Sequence, residues 1–89
     1  MSYRVLLHPK AAKFLRGADA RLRDRIRTRL RELESSPRER GKRLRSSPFL
    51  RLRIGDYRAI YTINEEEASV VVLFIGHRRD VYDDFSKLL

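Results

Sequence analysis

Residues 51–63 read RLRIGDYRAIYTI, two runs of alternating polarity around the dipeptide Gly55-Asp56. A Gly-Asp pair between alternating runs predicts a β-hairpin with a two-residue turn, because glycine supplies the positive φ that such turns require. If Ile54 and Tyr57 flank the turn, Arg53 lies directly opposite Arg58, on the same face of the hairpin. This short stretch therefore predicts the register of two central strands.

The alternation divides the hairpin into two faces. One face is predicted to belong to the core and carries Leu50, Leu52, Ile54, Tyr57, Ala59 and Tyr61. The other face carries Phe49, Arg51, Arg53, Arg58, Ile60 and Thr62. Two opposed guanidiniums repel each other unless an anion lies between them, and arginine cannot lose its charge. Two interpretations follow: a solvated face with carboxylates nearby, or an anion-binding site on a rigid sheet.

Length and composition narrow the function classes. The 89 residues predict one domain over 1–89. Lys and Arg number 21 against 12 acidic residues, and 17 of the 21 are Arg, for a net charge of +9. This balance favours nucleic acid or an acidic protein as the partner. The absence of cysteine excludes disulfides and thiolate metal sites, and His8 lies far from His77 in sequence, so we expect neither a metal nor a cofactor.

The N-terminal segment has no apolar core typical of a signal peptide, and no apolar run approaches the roughly 18 residues of a membrane span. We therefore expect a cytoplasmic protein that does not bind membranes.

The remaining elements predict an α+β fold. A short strand at 3–7 precedes a helix that begins at Pro9, and Asp19 is a suitable N-cap for a second helix that ends before Pro37. The segment 35–48 is predicted to be a loop, the apolar run 68–76 a buried strand, and 80–89 a short closing helix. The predicted architecture is an N-terminal strand and a two-helix hairpin packed on one face of a four-stranded antiparallel sheet, followed by a short C-terminal helix. The opposite face of the sheet is expected to be open.

Two further groups of cations accompany the hairpin. The arginines of the second helix are interpreted mostly as a solvated face. In the loop, Lys42, Arg43 and Arg45 are either solvated or positioned to bind a phosphate backbone.

Two sequence blocks resemble a known family. The stretch ESSPRERGKRLRSSPFLRLRIGDYRAIYTI, followed by VVVLFIGHRRDVY, is similar to the RelE/ParE superfamily of toxins from prokaryotic toxin–antitoxin systems, and to its RelE branch more than to ParE. The blocks LRLRIGDYRAIY and IGHRRDVY carry the specific part of this resemblance.

The resemblance implies a ribosome-dependent, metal-independent mRNA endonuclease in which the 2′-hydroxyl attacks the adjacent phosphate. The implied partners are mRNA in the ribosomal A site, ribosomal RNA and a cognate RelB-like antitoxin. The family's catalytic positions match Arg53, Arg58, Arg78 and Tyr82. The residues expected to bind RNA are Arg51, Lys42, Arg43, Arg45, His77 and Arg79.

One departure from the family concerns the general base. The family has a lysine at the position of Arg53, and arginine does not titrate usefully. His77 is then the nearest residue of a type that commonly acts as a base, although a histidine at a strand end is more often structural. Two alternatives to the nuclease remain: a ParE-like inhibitor of DNA gyrase, and a nucleic-acid-binding homologue with weakened catalysis.

Overall fold

The computed structural model describes residues 2–45 and 47–81. The strands are β1 (Arg4–Leu7), β2 (Lys42–Arg43), β3 (Phe49–Ile54), β4 (Tyr57–Asn64) and β5 (Ser69–His77). The helices are α1 (Pro9–Gly17), α2 (Ala20–Arg31) and α3 (Pro37–Arg40), and a 3-10 turn at Glu32–Glu34 follows α2. In the part of the chain that is described, no helix is long and apolar enough to cross a membrane.

The two long helices begin where their capping residues predict. Pro9 occupies the first turn of α1, where its missing N–H costs nothing. Asp19 caps α2, since its Oδ1 accepts a hydrogen bond of 2.9 Å from the main-chain N–H of Leu22. Both predictions from the sequence are thus confirmed.

The hairpin has the predicted register. Arg53 pairs with Arg58, and Ile54 pairs with Tyr57 across the turn. Gly55 has a φ of 61°, which suits the first central position of a type II′ turn. The two arginines therefore share a face of the sheet.

The sheet itself differs from the prediction of four antiparallel strands. It has five strands in the order β1-β5-β4-β3-β2. Strand β1 runs parallel to β5, so the sheet is mixed. The segment predicted as a loop contains α3 and β2, and β2 pairs its two residues with the outer edge of β3. A two-residue strand without an apolar pattern exists only because its neighbour offers unpaired backbone groups, which sequence periodicity cannot reveal.

The core lies between the helices and one face of the sheet, here called the helix face. As predicted, this face includes five residues of the hairpin that are at most 5% exposed, namely Leu50, Leu52, Ile54, Ala59 and Tyr61. Tyr57 shares the face but is only half-buried at the rim. Helix α1 contributes Ala11 and Leu15, and α2 contributes Ile26 and Leu30.

The opposite face is not fully open. A second cluster of buried residues covers part of it, formed by Ile60, Phe74 and Val81. Apolar side chains on this face would otherwise lie in water, so the cluster corrects the expectation of an open face. The closing helix predicted over 80–89 falls outside the described residues beyond Val81.

Candidate functional site

Four cationic side chains share the sheet face opposite the helices, here called the arginine face. Lys42 of β2 pairs with Arg51 of β3, and one step along the face Arg53 of β3 pairs with Arg58 of β4. Directly opposed side chains lie about 4.5–5.5 Å apart at Cβ. The face therefore presents two rows of like charge, each two residues wide.

Arg53 and Arg58 form the row nearest the turn. Arg53 is exposed, whereas Arg58 is half-buried. Nη1 of Arg58 donates hydrogen bonds to the main-chain oxygens of Gly55, at 2.7 Å, and Tyr57, at 2.8 Å. These bonds hold the guanidinium against the turn, while its Nε and Nη2 groups make no hydrogen bond with any other described residue. No carboxylate in the described part of the chain forms an ion pair with Arg53 or Arg58. Such a pair is suited to binding an anion with several oxygens.

A third arginine is attached to the same end of the sheet. The main-chain N–H of Arg78 donates a hydrogen bond of 2.8 Å to the main-chain oxygen of Asp56, in the hairpin turn. The side chain of Arg78 is exposed. The backbone of Arg78 is thereby held beside the turn that carries Arg53 and Arg58.

The chain after Arg78 returns to the arginine face. Gly76 lies opposite Arg58, and an added Cβ at Gly76 would meet the Cβ of Val81 at 3.6 Å, so Val81 occupies the space above the glycine. Val81 is 1% exposed. The predicted catalytic residue Tyr82 follows Val81 directly in the chain but lies outside the described residues.

His77 lies on the helix face instead. It pairs with Tyr57, and the two rings meet edge to face with centroids 5.6 Å apart. Its Nδ1 accepts a hydrogen bond of 3.2 Å from the main-chain N–H of Arg79. The side chain borders a groove of about 790 Å³ that Lys10 and Phe14 also line. The sheet thus separates His77 from the Arg53–Arg58 pair, although the sequence predicts that His77 lies near these arginines and binds RNA with them.

A β-bulge explains the position of His77. Ile60 pairs with Phe74, but Tyr61 pairs with Val72, so Leu73 is an extra residue in β5. One extra residue transfers every later side chain to the other face. Without the bulge, His77 would point to the arginine face.

The other predicted RNA-binding residues do not form one patch. Lys42 and Arg51 lie on the arginine face, but Arg43 pairs with Leu50 and so belongs to the helix side of the sheet edge. Arg45 follows β2 with a φ of 52°, and Arg79 follows β5; both side chains are exposed. The structure therefore groups Lys42 and Arg51 with the Arg53–Arg58 pair and leaves the other cations at the rims.

Arg29 of α2 is a further side chain at this site, and no pattern in the sequence pointed to it. Its Nε and Nη2 donate hydrogen bonds of 3.2 and 2.9 Å to the main-chain oxygen of Arg53. Its Nη1 pairs with Oε1 of Glu32 at 2.8 Å. In the sequence, Arg29 is one of several regularly spaced arginines, and nothing local distinguishes it from its solvated neighbours.

The chain is similar to known toxins of type II toxin–antitoxin systems. A family model described as "ParE toxin of type II toxin-antitoxin system, parDE" matches residues 5–82. The mRNA interferase toxin RelE of Escherichia coli is 29% identical over 92 residues, covering 98% of this chain and 97% of RelE.

Solved structures resemble the fold as well. The toxin–antitoxin complex RelBE2 from Mycobacterium tuberculosis contains a chain with a TM-score of 0.78 and 28% identity, covering 88% of this chain and 100% of that one. The intact RelBE toxin–antitoxin complex of E. coli contains a chain with a TM-score of 0.74 and 30% identity, covering 85% of this chain and 96% of that one. The match to the family model, over residues 5–82, includes all of β2, β3, β4 and β5, the strands that carry the arginine face.

Proposed function

The chain belongs to the ParE toxin family of type II toxin–antitoxin systems, and from this premise we propose that it is a toxin that cleaves mRNA on the ribosome. The observation that carries the proposal is the opposed Arg53–Arg58 pair, which has no carboxylate partner among the described residues. Like charges held this close are costly unless a phosphate neutralises them. The similarity to the mRNA interferase RelE supports RNA as the source of that phosphate.

The reaction is an in-line displacement at phosphorus. The 2′-oxygen of one nucleotide attacks the adjacent phosphorus, the bond from phosphorus to the 5′-oxygen breaks, and a 2′,3′-cyclic phosphate forms. The 2′-hydroxyl loses a proton, and the departing 5′-oxygen gains one. Negative charge accumulates on the non-bridging oxygens as the new bond forms. Fixed guanidiniums at that place stabilise the transition state without reorganising.

Each cation on this side of the molecule has a role in the proposal. Arg53 and Arg58 bind the non-bridging oxygens, and Arg78, attached to the turn, interacts with the departing 5′-oxygen. Lys42 and Arg51 contact phosphates that flank the cleaved bond, because their row runs beside the first. Tyr82, the residue after Val81, stacks on a base or orients the 2′-hydroxyl, as the family resemblance implies.

The general base differs from that of a lysine-containing relative. Arg53 occupies the lysine position and keeps its proton. His77 lies on the other face, where its Nδ1 is already hydrogen-bonded. We infer that the 2′-hydroxyl proton passes to solvent and that charge stabilisation and positioning supply most of the acceleration. His77, Arg43, Arg45 and Arg79 are then contacts at the rim at most.

A protein antitoxin is the second partner in the proposal. The similar chains from M. tuberculosis and E. coli are parts of toxin–antitoxin complexes. A chain of net charge +9 favours an acidic partner, so we propose a RelB-like antitoxin that is rich in Asp and Glu.

The decisive test uses ribosomes programmed with a defined mRNA. The wild-type protein is treated with EDTA beforehand, and no transition metal is added to the assay. It should generate new 5′ ends within the A-site codon, with a 2′,3′-cyclic phosphate on the upstream fragment. Arg53→Ala should lose this activity, and Arg21→Ala, at an exposed position on α2, should keep it.

Two parallel measurements distinguish the alternatives. Inhibition of supercoiling by purified DNA gyrase, without mRNA cleavage, would favour a ParE-type toxin. Ribosome binding without cleavage and without gyrase inhibition would indicate a homologue that has lost its catalytic activity. Either result contradicts the nuclease proposal.

A further inference from the structure

The main-chain carbonyl of Arg53 lies where the sheet cannot satisfy it. Ile54 and Tyr57 flank a two-residue turn and form a hydrogen-bonded pair, so the next pair, Arg53 and Arg58, is non-hydrogen-bonded and its peptide groups point away from each other. On the outer side of β3, strand β2 pairs only with Leu50 and Arg51. The carbonyl of Arg53 is therefore beyond the end of β2.

Arg29 takes the place of the missing strand. Two of its nitrogens, Nε and Nη2, converge on the Arg53 oxygen at 3.2 and 2.9 Å. This fork contacts a single atom from two sides, which restricts both the distance and the direction of the carbonyl. A lysine cannot reproduce it, because its ammonium makes single contacts from a flexible stem.

The guanidinium of Arg29 is itself held in place. Oε1 of Glu32 binds its Nη1 at 2.8 Å and also lies 3.3 Å from Nη1 of Arg40, in α3. One helical turn before Arg29, Arg25 lies over the hairpin turn, since an added Cβ at Gly55 would approach Arg25 Nη2 to 2.5 Å. Helix α2 thus contacts the hairpin at two successive points, the Arg53 carbonyl and Gly55.

We propose that Arg29 is a positioning residue for the reaction. By donating two hydrogen bonds to the Arg53 carbonyl, it fixes the positions of the Arg53 and Arg58 guanidiniums relative to the phosphate. This inference rests on the proposed nuclease function. The Arg29 guanidinium donates its hydrogen bonds to the main-chain oxygen of Arg53 and to the carboxylate of Glu32. Arg29 therefore acts through Arg53 and not on RNA. A displacement of about 1 Å in a group that binds the transition state costs up to about 10²-fold in rate.

The test compares Arg29→Lys with Arg21→Lys, a matched substitution at an exposed position of the same helix. Single-turnover cleavage of ribosome-bound mRNA and the affinity for ribosomes are measured for both. Arg29→Lys keeps the charge, so its affinity should stay within about twofold of the control. Its cleavage rate should fall by about 10-fold or more, because the fork on Arg53 is lost. Amide hydrogen exchange of residues 53–55 should also accelerate in this variant.

The outcomes separate the two proposals. If the wild-type protein cleaves and Arg29→Lys cleaves as fast as Arg21→Lys, the positioning role is overturned while the nuclease stands. Equal losses of rate and affinity would make Arg29 a docking residue and would also overturn it. A wild-type protein that does not cleave overturns the nuclease itself. If Arg29→Lys fails to fold, Glu32→Gln replaces it, since it removes the carboxylate that holds the Arg29 guanidinium against the Arg53 carbonyl. Its cleavage rate at saturating ribosome concentration should fall, and an unchanged rate would contradict the proposal.

Discussion

The helix face and the arginine face are made by the same strands, yet they serve opposite purposes. On the helix face, Leu52, Ile54 and Ala59 are at most 1% exposed and pack against α1 and α2. On the arginine face, the intervening residues Arg53 and Arg58 oppose each other without a carboxylate partner among the described residues. Alternate positions of one hairpin thus carry stability and charge separately. The rigid packing on one side is what allows repulsion to persist on the other.

The largest effect should come from the helix face. Leu52→Ala removes a fully buried side chain and should lower the free energy of unfolding by about 2–5 kcal/mol. The adjacent Arg53→Ala, on the arginine face, should change it by less than about 1 kcal/mol. Urea denaturation of both variants measures the difference. Similar losses of stability in the two variants would show that the arginine face contributes to the stability of the fold as much as the helix face does.

On the arginine face, Arg58→Ala should lower the rate of cleavage and leave the stability of the protein nearly unchanged. It should reduce single-turnover mRNA cleavage by about 10²–10³-fold, equivalent to about 3–4 kcal/mol of transition-state stabilisation. Stability should change little, because the loss of two bonds from Nη1 is offset by relief of the repulsion with Arg53. Thermal unfolding is measured alongside the rate, with Arg21→Ala as the control. A variant that unfolds on purification would mean that Arg58 belongs to the structural side of the comparison.

Tyr61 makes the helix face sensitive to alkaline pH. Its hydroxyl donates to the main-chain oxygen of Pro37 at 2.5 Å, and burial raises its pKa from 10.0 to about 12. The folded protein holds this proton more tightly than the unfolded chain, so the stabilisation is complete below pH 10 and is lost as pH rises towards 12. The free energy of unfolding should fall by up to about 1.4 kcal/mol per pH unit in that window.

Tyr61→Phe is the control for this titration. It should be less stable than the wild type by about 1–3 kcal/mol at neutral pH, because the Pro37 oxygen loses its donor. Its stability should then vary less with pH between 10 and 12. Parallel pH profiles for the two proteins would assign the alkaline transition to another group.

The smallest effect is expected at His77. Because it lies on the helix face with its Nδ1 hydrogen-bonded, His77→Gln should change the cleavage rate by less than about threefold. The rate of the wild type should also be flat between about pH 6 and 7, where an ordinary imidazole titrates. Loss of cleavage in His77→Gln together with a rate that rises through this range would restore His77 as the general base.

The sequence alone determined the features that depend on near neighbours. A glycine in the turn and the alternation of polarity next to it set the hairpin register, and hence the opposition of Arg53 and Arg58. Pro9 and Asp19 marked the helix starts in the same way, because caps act within one turn. The core face of the hairpin followed from period-two alternation, and burial confirms it.

Tertiary structure decided what depends on contacts between distant segments. Strand β1 is short and could pair either way; only the folded sheet places it parallel to β5. The run that forms β5 is apolar on both faces, so no alternation marks Leu73 as the bulge that turns His77 away from the arginines. Arg29 resembles its neighbours along α2 until the hairpin presents a carbonyl beyond the end of β2. Alternation and caps act over a few residues, whereas strand partners, bulges and carbonyl acceptors exist only once the chain has closed on itself.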